Sequence, residues 1–105
     1  MNKLFYPAIF HLAEEGGFWI TFPDLPECMS QGDDMQEAYE MAVDALGLAL
    51  TSREQEKEEI PTPSEIEHIQ INPNEYCVIV EFDMLAYKKR TNSKSVKKLL
   101  VFQNG

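Results

Sequence analysis

The amino-acid sequence predicts an α+β fold with the element order β-β-β-α-β. Two observations predict it: short aromatic and β-branched segments are separated by glycine and proline turns, and one longer segment carries apolar residues at helical spacing. With 105 residues and 44% apolar content, the chain is expected to bury its own core without disulfides or metal. We expect one folded body at residues 1–83, followed by a short basic tail at residues 84–105.

Three strands of an antiparallel meander are predicted in the first third of the chain. They cover Leu4–Leu12, Phe18–Phe22 and Cys28–Ser30. Gly16 and Gly17 suit a hairpin loop after the first strand, and Pro23 and Pro26 stop the second strand by fixing φ on both sides of a turn. Because Pro7 cannot donate to a sheet ladder, the first strand is expected to lie at an edge or to contain a bulge.

One helix is predicted over about residues 34–51. Its apolar residues recur at helical spacing and form one stripe, made of Met35, Ala38, Tyr39, Ala42, Ala45, Leu46, Ala49 and Leu50. Gly47 is expected on the opposite side, among the acidic residues. Asp33 or Asp34 is expected to cap the helix, with Gln36 and Glu37 three residues on as the respective partners of the capping pattern.

A fourth strand is predicted at Tyr76–Phe82, which is mostly apolar. Such a segment is typical of a central strand that is covered, at least in part, on both faces. It is expected to return to the same sheet through a right-handed connection, with the helix packed on one sheet face. Because side chains alternate along a strand, Trp19 is expected on the face opposite the helix if Ile20 faces it. An exposed tryptophan there would anchor an interface; packing beneath a loop or the tail is the alternative.

The net charge of −9 is unevenly distributed along the chain. Residues 1–83 hold all 18 acidic residues against three basic ones, a net charge of −15, whereas residues 84–105 hold six basic residues and no acidic one. An acidic body repels nucleic-acid phosphates and favours a basic protein partner, and the tail has the opposite preference. Within the tail, Ser95–Phe102 is apolar enough to form a strand that pairs with another element, such as a second copy of itself.

Residue types that support catalysis or metal binding are few and scattered. Those considered are His11, His68, Cys28, Cys77, Asp24, Asp33 and Asp34. Neither histidine has a serine or cysteine partner at an interpretable spacing, and the cysteines match no metal or redox motif. The aspartates match no calcium-loop spacing, so a turn and a helix cap explain them more simply. We therefore predict no enzyme, no cofactor and no metal site. The lack of a signal-peptide pattern and of a long apolar segment predicts a cytoplasmic protein with no membrane partner.

Several short motifs, taken together and in order, resemble the HicB family of antitoxins over roughly residues 4–98. They are Tyr6-Pro7-Ala8, Gly17-Phe18, Phe22-Pro23-Asp24-Leu25-Pro26 with Cys28, Gln31-Gly32-Asp33, Glu37-Ala38, Ala42, Ala45-Leu46, Pro61-x-Pro63-Ser64, Val78-Ile79-Val80 and Lys94-Ser95-Val96-Lys97-Lys98. Glu27 is a minor departure, since relatives often have glycine after the second proline. The family is described as carrying a degraded ribonuclease-H-like domain, so the resemblance implies that architecture here.

The resemblance implies the antitoxin of a type II toxin–antitoxin pair. The implied partner is a HicA-like toxin, a small basic protein that cleaves mRNA and whose active site the antitoxin body occludes. Candidate toxin-binding residues, chosen by charge and expected exposure, are Trp19, Asp24, Asp33, Glu37, Glu40 and Asp44. A solvated acidic face without a binding role is the alternative for these residues.

The resemblance also implies a C-terminal DNA-binding module, a ribbon-helix-helix or a helix-turn-helix, that autoregulates the operon. We also expect a homo-oligomer. Candidate nucleic-acid contacts are Lys88, Lys89, Arg90, Lys94, Lys97 and Lys98. Because few residues follow Lys98, the tail is interpreted as a truncated or degenerate DNA-binding or dimerisation region. The rival hypotheses are an orphan HicB-like transcriptional regulator, or an oligomeric binding module without a toxin partner. A metal-dependent nuclease is disfavoured because the segment Leu4–Phe10 carries no acid to hold a metal.

Overall fold

The computed structural model of the protein describes residues 3–87. The elements are β1 (Lys3–Leu12), β2 (Phe18–Phe22), β3 (Leu25–Gly32), α1 (Met35–Gln55), a short 3-10 helix (Ile66–His68) and β4 (Glu75–Asp83). The strands form one antiparallel sheet in the order β3-β2-β1-β4, with α1 packed on one face. The predicted α+β meander with a helix on one sheet face is therefore confirmed, while the ribonuclease-H-like description and the division of the chain at residue 83 stay predictions.

The β1–β2 hairpin forms where two glycines were expected to allow it. Gly16 and Gly17 adopt φ values of 99° and 79°, in the left-handed region that residues with a Cβ rarely adopt. The backbone N–H of Ala13 donates to the Gly17 carbonyl at 3.1 Å and closes the turn. A Cβ at Gly17 would lie 2.6 Å from the carbonyl oxygen of Gly32, so the hairpin also packs tightly against the end of β3.

β1 and β4 occupy positions in the sheet that differ from those predicted. β1 is an inner strand, but β2 pairs only with residues 9–12 of it, so at Pro7 the only paired strand is β4. Pro7 thus tolerates its missing donor because β1 is locally an edge there. Among residues 3–87, β4 lies at the edge of the sheet and pairs with β1 alone, so the prediction of a central strand is wrong for the described part of the sheet. β4 is apolar on both faces, although α1 covers only one of them. Val80 is buried toward α1, whereas Ile79 is 38% exposed on the opposite face.

The connection from α1 to β4 also differs from the prediction. β4 runs antiparallel to β1, so the handedness rule for crossovers between parallel strands does not apply to it. Residues 56–74 instead lead back along the sheet before β4 begins. The hydroxyl of Tyr6 donates to the carbonyl oxygen of Pro61 at 2.6 Å and fixes this connection to β1. Burial is the main cause that raises the pKa of Tyr6, which keeps its donor proton in place.

β3 is longer and less regular than predicted. Thr21 of β2 pairs with Met29, but the next residue, Phe22, pairs with Leu25. Residues 26–28 therefore have no partner in the β2 ladder and form a bulge. Pro26, expected in the turn, lies inside this edge strand, where a missing backbone donor costs little.

α1 begins at the predicted cap and ends four residues later than expected. Asp34 is the N-cap, and its Oδ1 accepts the backbone N–H of Glu37 at 2.8 Å. The Glu37 carboxylate in turn accepts the backbone N–H of Asp33 at 2.7 Å. The two contacts satisfy donors that a helix start otherwise leaves unpaired. Arg53 lies in the last turn, where a positive charge suits the helix dipole.

The buried side of α1 corrects two assignments of the predicted helix, Met35 inside the apolar stripe and Gly47 outside it. Its buried residues are Ala38, Ala42, Leu46, Gly47, Ala49 and Leu50. Met35 is 44% exposed because it lies in the first turn, directly after the cap. Gly47, expected on the polar side, is buried: a Cβ there would lie 2.5 Å from Cε1 of Tyr87. The chain after β4 therefore packs back onto α1, a contact between distant segments that helical periodicity alone does not reveal.

Replacing the N-cap residue is expected to destabilise the protein. Asp34→Ala removes the acceptor for the Glu37 N–H and should lower the free energy of unfolding by about 1 kcal/mol. Asp33→Ala is the matched control, because it keeps the backbone N–H that Glu37 accepts, and it should change the value by less than about 0.5 kcal/mol. Urea unfolding followed by circular dichroism measures both. Equal losses in the two variants would contradict the assignment of Asp34 as the cap.

The packing of Tyr87 on α1 is testable through Gly47. Exchanging glycine for alanine inside a helix ordinarily stabilises it by roughly 1 kcal/mol. Here Gly47→Ala should destabilise the protein, because the ring of Tyr87 must move to admit the methyl group. In a Tyr87→Ala background the same change should cost less, which a double-mutant cycle in urea measures. Stabilisation by Gly47→Ala in both backgrounds would show that Tyr87 does not pack there.

Candidate functional site

A groove separates β3 from α1 on the edge of the molecule. We call it the α1–β3 groove; it has a volume of about 510 Å³ and is lined by residues 27–29 of β3, by one side of α1 from Ala45 to Arg53, and by Glu58. Two other pockets are smaller, at about 360 and 240 Å³. The groove exists because the small side chains of Ala45 and Ala49 leave space between the helix and the strand.

An ion pair ties the two sides of the α1–β3 groove together. Arg53 donates through Nε to one carboxylate oxygen of Glu27 at 2.7 Å and through Nη2 to the other at 3.0 Å. Its third nitrogen donates to the carbonyl oxygen of Glu59 at 3.0 Å. The hydrogen bonds from Arg53 hold the pKa of Glu27 below its usual value. Arg53 thus links β3, α1 and the chain that follows α1 through an exposed ion pair.

The exposed side of α1 carries both acidic and apolar residues. Glu37, Met41, Asp44 and Leu48 are exposed and recur every three or four residues, a spacing that places them on one side of a helix, and the exposed Glu40 lies beside them. Leu48, at the end of this stripe, also lines the α1–β3 groove. The acidic stripe and the groove are therefore one continuous surface.

Trp19 lies on the sheet face that α1 does not cover, here called the open face. Ile20 is buried toward α1, as the alternation of side chains requires, and Trp19 is 44% exposed. Its indole stacks on the imidazole of His11 with ring centroids 3.7 Å apart and planes 10° apart. His11 is fixed by Glu75 at 3.0 Å from Nδ1 and by the Thr21 hydroxyl at 2.9 Å from Nε2. The indole is therefore held in place and not covered by any described loop.

The Asp24 side chain stabilises the fold by binding the chain that follows α1. It lies in the turn between β2 and β3, where its carboxylate accepts the backbone N–H of Ser64 at 2.9 Å and the Ser64 hydroxyl. Both contacts attach the connection after α1 to the turn. Asp24 is half-buried, so its carboxylate is less available to a partner than the sequence suggested.

The structure brings some of the candidate toxin-binding residues together and separates others. Trp19 and Asp33 line the same 360 Å³ pocket, next to the β1–β2 hairpin. Glu37, Glu40 and Asp44 lie along α1, while Asp24 lies at the opposite end of β3 from Asp33. The six residues therefore do not form one patch, and their role in binding stays a prediction.

The candidate nucleic-acid contacts all lie outside residues 3–87. They are Lys88, Lys89, Arg90, Lys94, Lys97 and Lys98, and their role likewise stays a prediction.

Sequence reasoning missed Met29 and Leu48, which are the two most exposed large hydrophobic residues in the described part of the chain, at 61% and 66%. The sequence contained a signal for Leu48, because this residue falls outside the apolar stripe of the predicted helix and should therefore be exposed. The same reasoning applies to Met41. Met29 carried no such signal; its pairing with Thr21 places its side chain on the same sheet face as Thr21, which is the open face.

One group of three neighbouring metal-ligand side chains occurs among residues 3–87, namely Glu65, Glu67 and His68. All three are exposed in or beside the short 3-10 helix. Exposed acidic groups of this kind are common without a bound ion, so this cluster does not define a site. Nowhere in the same residues does a helix combine the length and the apolar character that crossing a bilayer requires.

Comparison with known families identifies the relatives of this chain. The model of the HicB-like antitoxins of bacterial toxin–antitoxin systems matches residues 6–98. The chain belongs to this family. It is 44% identical over 66 residues to antitoxin HicB 1 of Photorhabdus laumondii, which covers 63% of the chain. It is 42% identical over 59 residues to antitoxin HicB of Escherichia coli strain K12, which covers 56% of the chain. Both matches span 43% of the relative, so this HicB-family chain corresponds to less than half of those antitoxins.

Solved structures share the fold. A toxin–antitoxin complex from Streptococcus pneumoniae contains a chain that matches with a TM-score of 0.72 and 22% identity, covering 81% of this chain and 72% of that one. A chain of the HicA3–HicB3 toxin–antitoxin complex matches with a TM-score of 0.65 and 22% identity, covering 76% and 99%. The N-terminal domain of the Burkholderia pseudomallei antitoxin HicB gives a TM-score of 0.65 at 20% identity, covering 73% and 95%. At these identities the likeness establishes the fold alone.

Cys28, in the floor of the α1–β3 groove, is expected to be unreactive in the folded protein. Burial raises its pKa to about 12, with the charge of Glu27 adding to the effect. Because only the thiolate attacks a disulfide reagent, Cys28 in a Cys77→Ser variant should stay unmodified by Ellman's reagent at about pH 8 and react once denaturant is added. The reciprocal Cys28→Ser variant reports on Cys77, whose pKa burial also raises. Rapid reaction of native Cys28 would show that the groove floor opens.

Proposed function

We propose that this chain is the toxin-binding part of an antitoxin, and that it neutralises a HicA-like, mRNA-cleaving toxin by covering the toxin's active site. The observation that carries the proposal is membership of the HicB-like antitoxin family over residues 6–98. A chain of the same fold occurs in the HicA3–HicB3 toxin–antitoxin complex. Because the fold likeness does not transfer a partner, the proposal needs support from the surface of this chain.

The acidic surface supports this proposal. Residues 1–83 carry 18 acidic residues and three basic ones, and of those three, Arg53 is already paired with Glu27. A ribonuclease that grips RNA phosphates must present positive charge. An acidic binding protein attracts such a surface from a distance and competes with RNA for it. Neutralisation by occlusion therefore needs only tight binding and no chemistry of the antitoxin's own.

The described residues give little support to the rival of a metal-dependent nuclease. β1 carries no carboxylate from Lys3 to Leu12. Glu81 and Asp83 of β4 lie opposite Phe5 and Lys3 of β1, respectively. Two-metal phosphoryl transfer needs several carboxylates that converge on one point, and β1 offers none beside this pair. We therefore propose a binding protein and not an enzyme.

Regulation of the operon is a second role that we propose for the full antitoxin. The six basic residues of the tail at residues 84–105 favour contact with DNA phosphates. A homo-oligomer formed through the tail would place several acidic bodies around one operator. An orphan regulator without a toxin partner remains the alternative, and it predicts salt-sensitive DNA binding by this chain in the absence of any toxin.

Co-expression tests the proposed function. The small basic protein encoded beside this gene should co-purify with the chain, and the pair should stay together in high salt because apolar contacts are insensitive to screening. Induction of the neighbouring protein alone should arrest growth, and co-induction of this chain should relieve the arrest.

The control for that experiment is a chain that cannot fold. Leu46→Asp places a charge in the core and should abolish both co-purification and relief of growth arrest. Growth arrest that persists with the wild-type chain, together with no complex, would refute the antitoxin proposal. DNA binding in that case would favour the orphan regulator.

A further inference from the structure

A pocket separate from the α1–β3 groove lies between the β1–β2 hairpin and the end of β3, and we call it the hairpin pocket. Its volume is about 360 Å³, near the lower end of the range of roughly 300–1,000 Å³ in which proteins bind small molecules. Trp19 forms an aromatic wall, and the polar lining consists of Glu15, Gln31 and Asp33. The lining contains no basic residue, so the pocket combines an indole with two carboxylates.

The three polar side chains of the hairpin pocket have no partner among residues 3–87. Glu15, Gln31 and Asp33 are all exposed, and within that part of the chain none of their side chains makes a hydrogen bond or an ion pair. Asp33 contributes only its backbone N–H, which donates to Glu37. Two carboxylates and one amide oxygen are therefore available to accept hydrogen bonds from a ligand.

The aromatic wall is held in place from one side. The Trp19 indole stacks on His11 with ring centroids 3.7 Å apart, and His11 is fixed in turn by Glu75 and Thr21. Because the imidazole covers one face of the indole, the other face and the ring edge are left for a ligand. Of the aromatic side chains, indole attracts a cation over its face most strongly.

The remaining walls are also in place before a ligand arrives. The backbone N–H of Ala13 donates to the carbonyl oxygen of Gly17 at 3.1 Å. A Cβ at Gly17 would lie 2.6 Å from the carbonyl oxygen of Gly32, so the hairpin packs directly on the end of β3. A pocket with fixed walls loses little conformational entropy on binding.

Positive charge lies far from the hairpin pocket in the described part of the chain. Residues 3–87 contain three basic residues, Lys3, Arg53 and Lys57. Arg53 and Lys57 lie at or beyond the end of α1, whereas Asp33 precedes its start, and a helix of 21 residues is about 31 Å long. Lys3 begins β1, whereas the pocket lies next to the hairpin that follows this strand. No described cation therefore competes with a ligand for the two carboxylates.

We propose that the hairpin pocket binds a guanidinium group, which stacks on the uncovered face of Trp19 and donates to the carboxylates of Glu15 and Asp33. A guanidinium group is planar and permanently charged, and it presents its donors in a fixed fork. It therefore fits an indole face and carboxylate oxygens at the same time, whereas an ammonium group is a compact point charge. This site goes beyond the proposed function and does not depend on it.

Ligands of matched shape test the proposal. N-acetyl-L-argininamide carries one guanidinium group, N-acetyl-L-lysinamide carries the same charge without the plane, and N-acetyl-L-citrullinamide carries the plane without the charge. The arginine compound should bind at least about fivefold more tightly than the lysine compound, and the citrulline compound should not bind measurably. NMR chemical-shift titration of the whole chain measures the affinities, and the largest shifts should fall on the indole N–H of Trp19 and the amide of Gln31.

Substitutions in the lining test which residues hold the ligand. Glu15→Gln, Asp33→Asn and Trp19→Leu should each weaken binding of the arginine compound by at least about fivefold. Glu14→Gln is the matched control, because it removes the same charge from an adjacent exposed residue that does not line the pocket. It should leave the affinity within about twofold, since salt screens a charge that does not touch the ligand. Circular dichroism confirms that each variant is folded.

A tripeptide identifies the source of the guanidinium group. If blocked Gly-Arg-Gly binds more tightly than N-acetyl-L-argininamide, the pocket takes an arginine that a polypeptide presents. If it binds equally or less tightly, the pocket takes a free small molecule. Both outcomes support a guanidinium site.

Four outcomes would overturn the proposal. Equal affinity for the arginine and lysine compounds, or equal losses in Glu14→Gln and Glu15→Gln, would show only general attraction to an acidic surface. An unchanged affinity in Trp19→Leu would show that the ligand does not stack on the indole. No binding of the arginine compound to the wild-type chain would show that the hairpin pocket is not a guanidinium site.

Discussion

The close approach of α1 to the sheet is the constraint on which the rest of the structure depends. Small residues allow it: Ala38 and Ala42 are fully buried, and a Cβ at Gly32 would lie 2.4 Å from the backbone nitrogen of Ala38. A helix this near the sheet buries Leu46 and Leu50 without a second helix. The same small residues continue to Ala45 and Ala49, where they open the α1–β3 groove. Core packing and the candidate binding surface therefore have one origin.

Local sequence signals predicted the elements but not the neighbours of those elements. The β2 strand, the two-glycine hairpin and the Asp34 cap were predictable because each depends on residues within a few positions of one another. The edge position of β4 and the burial of Gly47 were not, since both depend on contacts between segments far apart in sequence. The candidate site followed the same division. Acidic residues on α1 were visible as a pattern, whereas the groove between α1 and β3 depends on how two elements distant in sequence pack together.

The two edges of the sheet differ in how they meet solvent. β3 is interrupted by a bulge at residues 26–28 and contains Pro26, two features that discourage the addition of another strand. β4 is paired with β1 over nine residues without a register shift, so its outer edge is regular. Strand addition is thus disfavoured on the side of the groove. Contacts on that side are thus left to side chains and not to backbone pairing.

The stack of Trp19 on His11 gives the molecule a built-in optical probe. The chain contains a single tryptophan, so all of its indole emission arises from one position on the open face, 3.7 Å from an imidazole ring. The emission therefore reports on this stacked contact on the open face rather than on the state of the buried core. A ligand seated in the α1–β3 groove contacts other elements and leaves this signal unchanged. Fluorescence thus tells the two faces of the protein apart without any label.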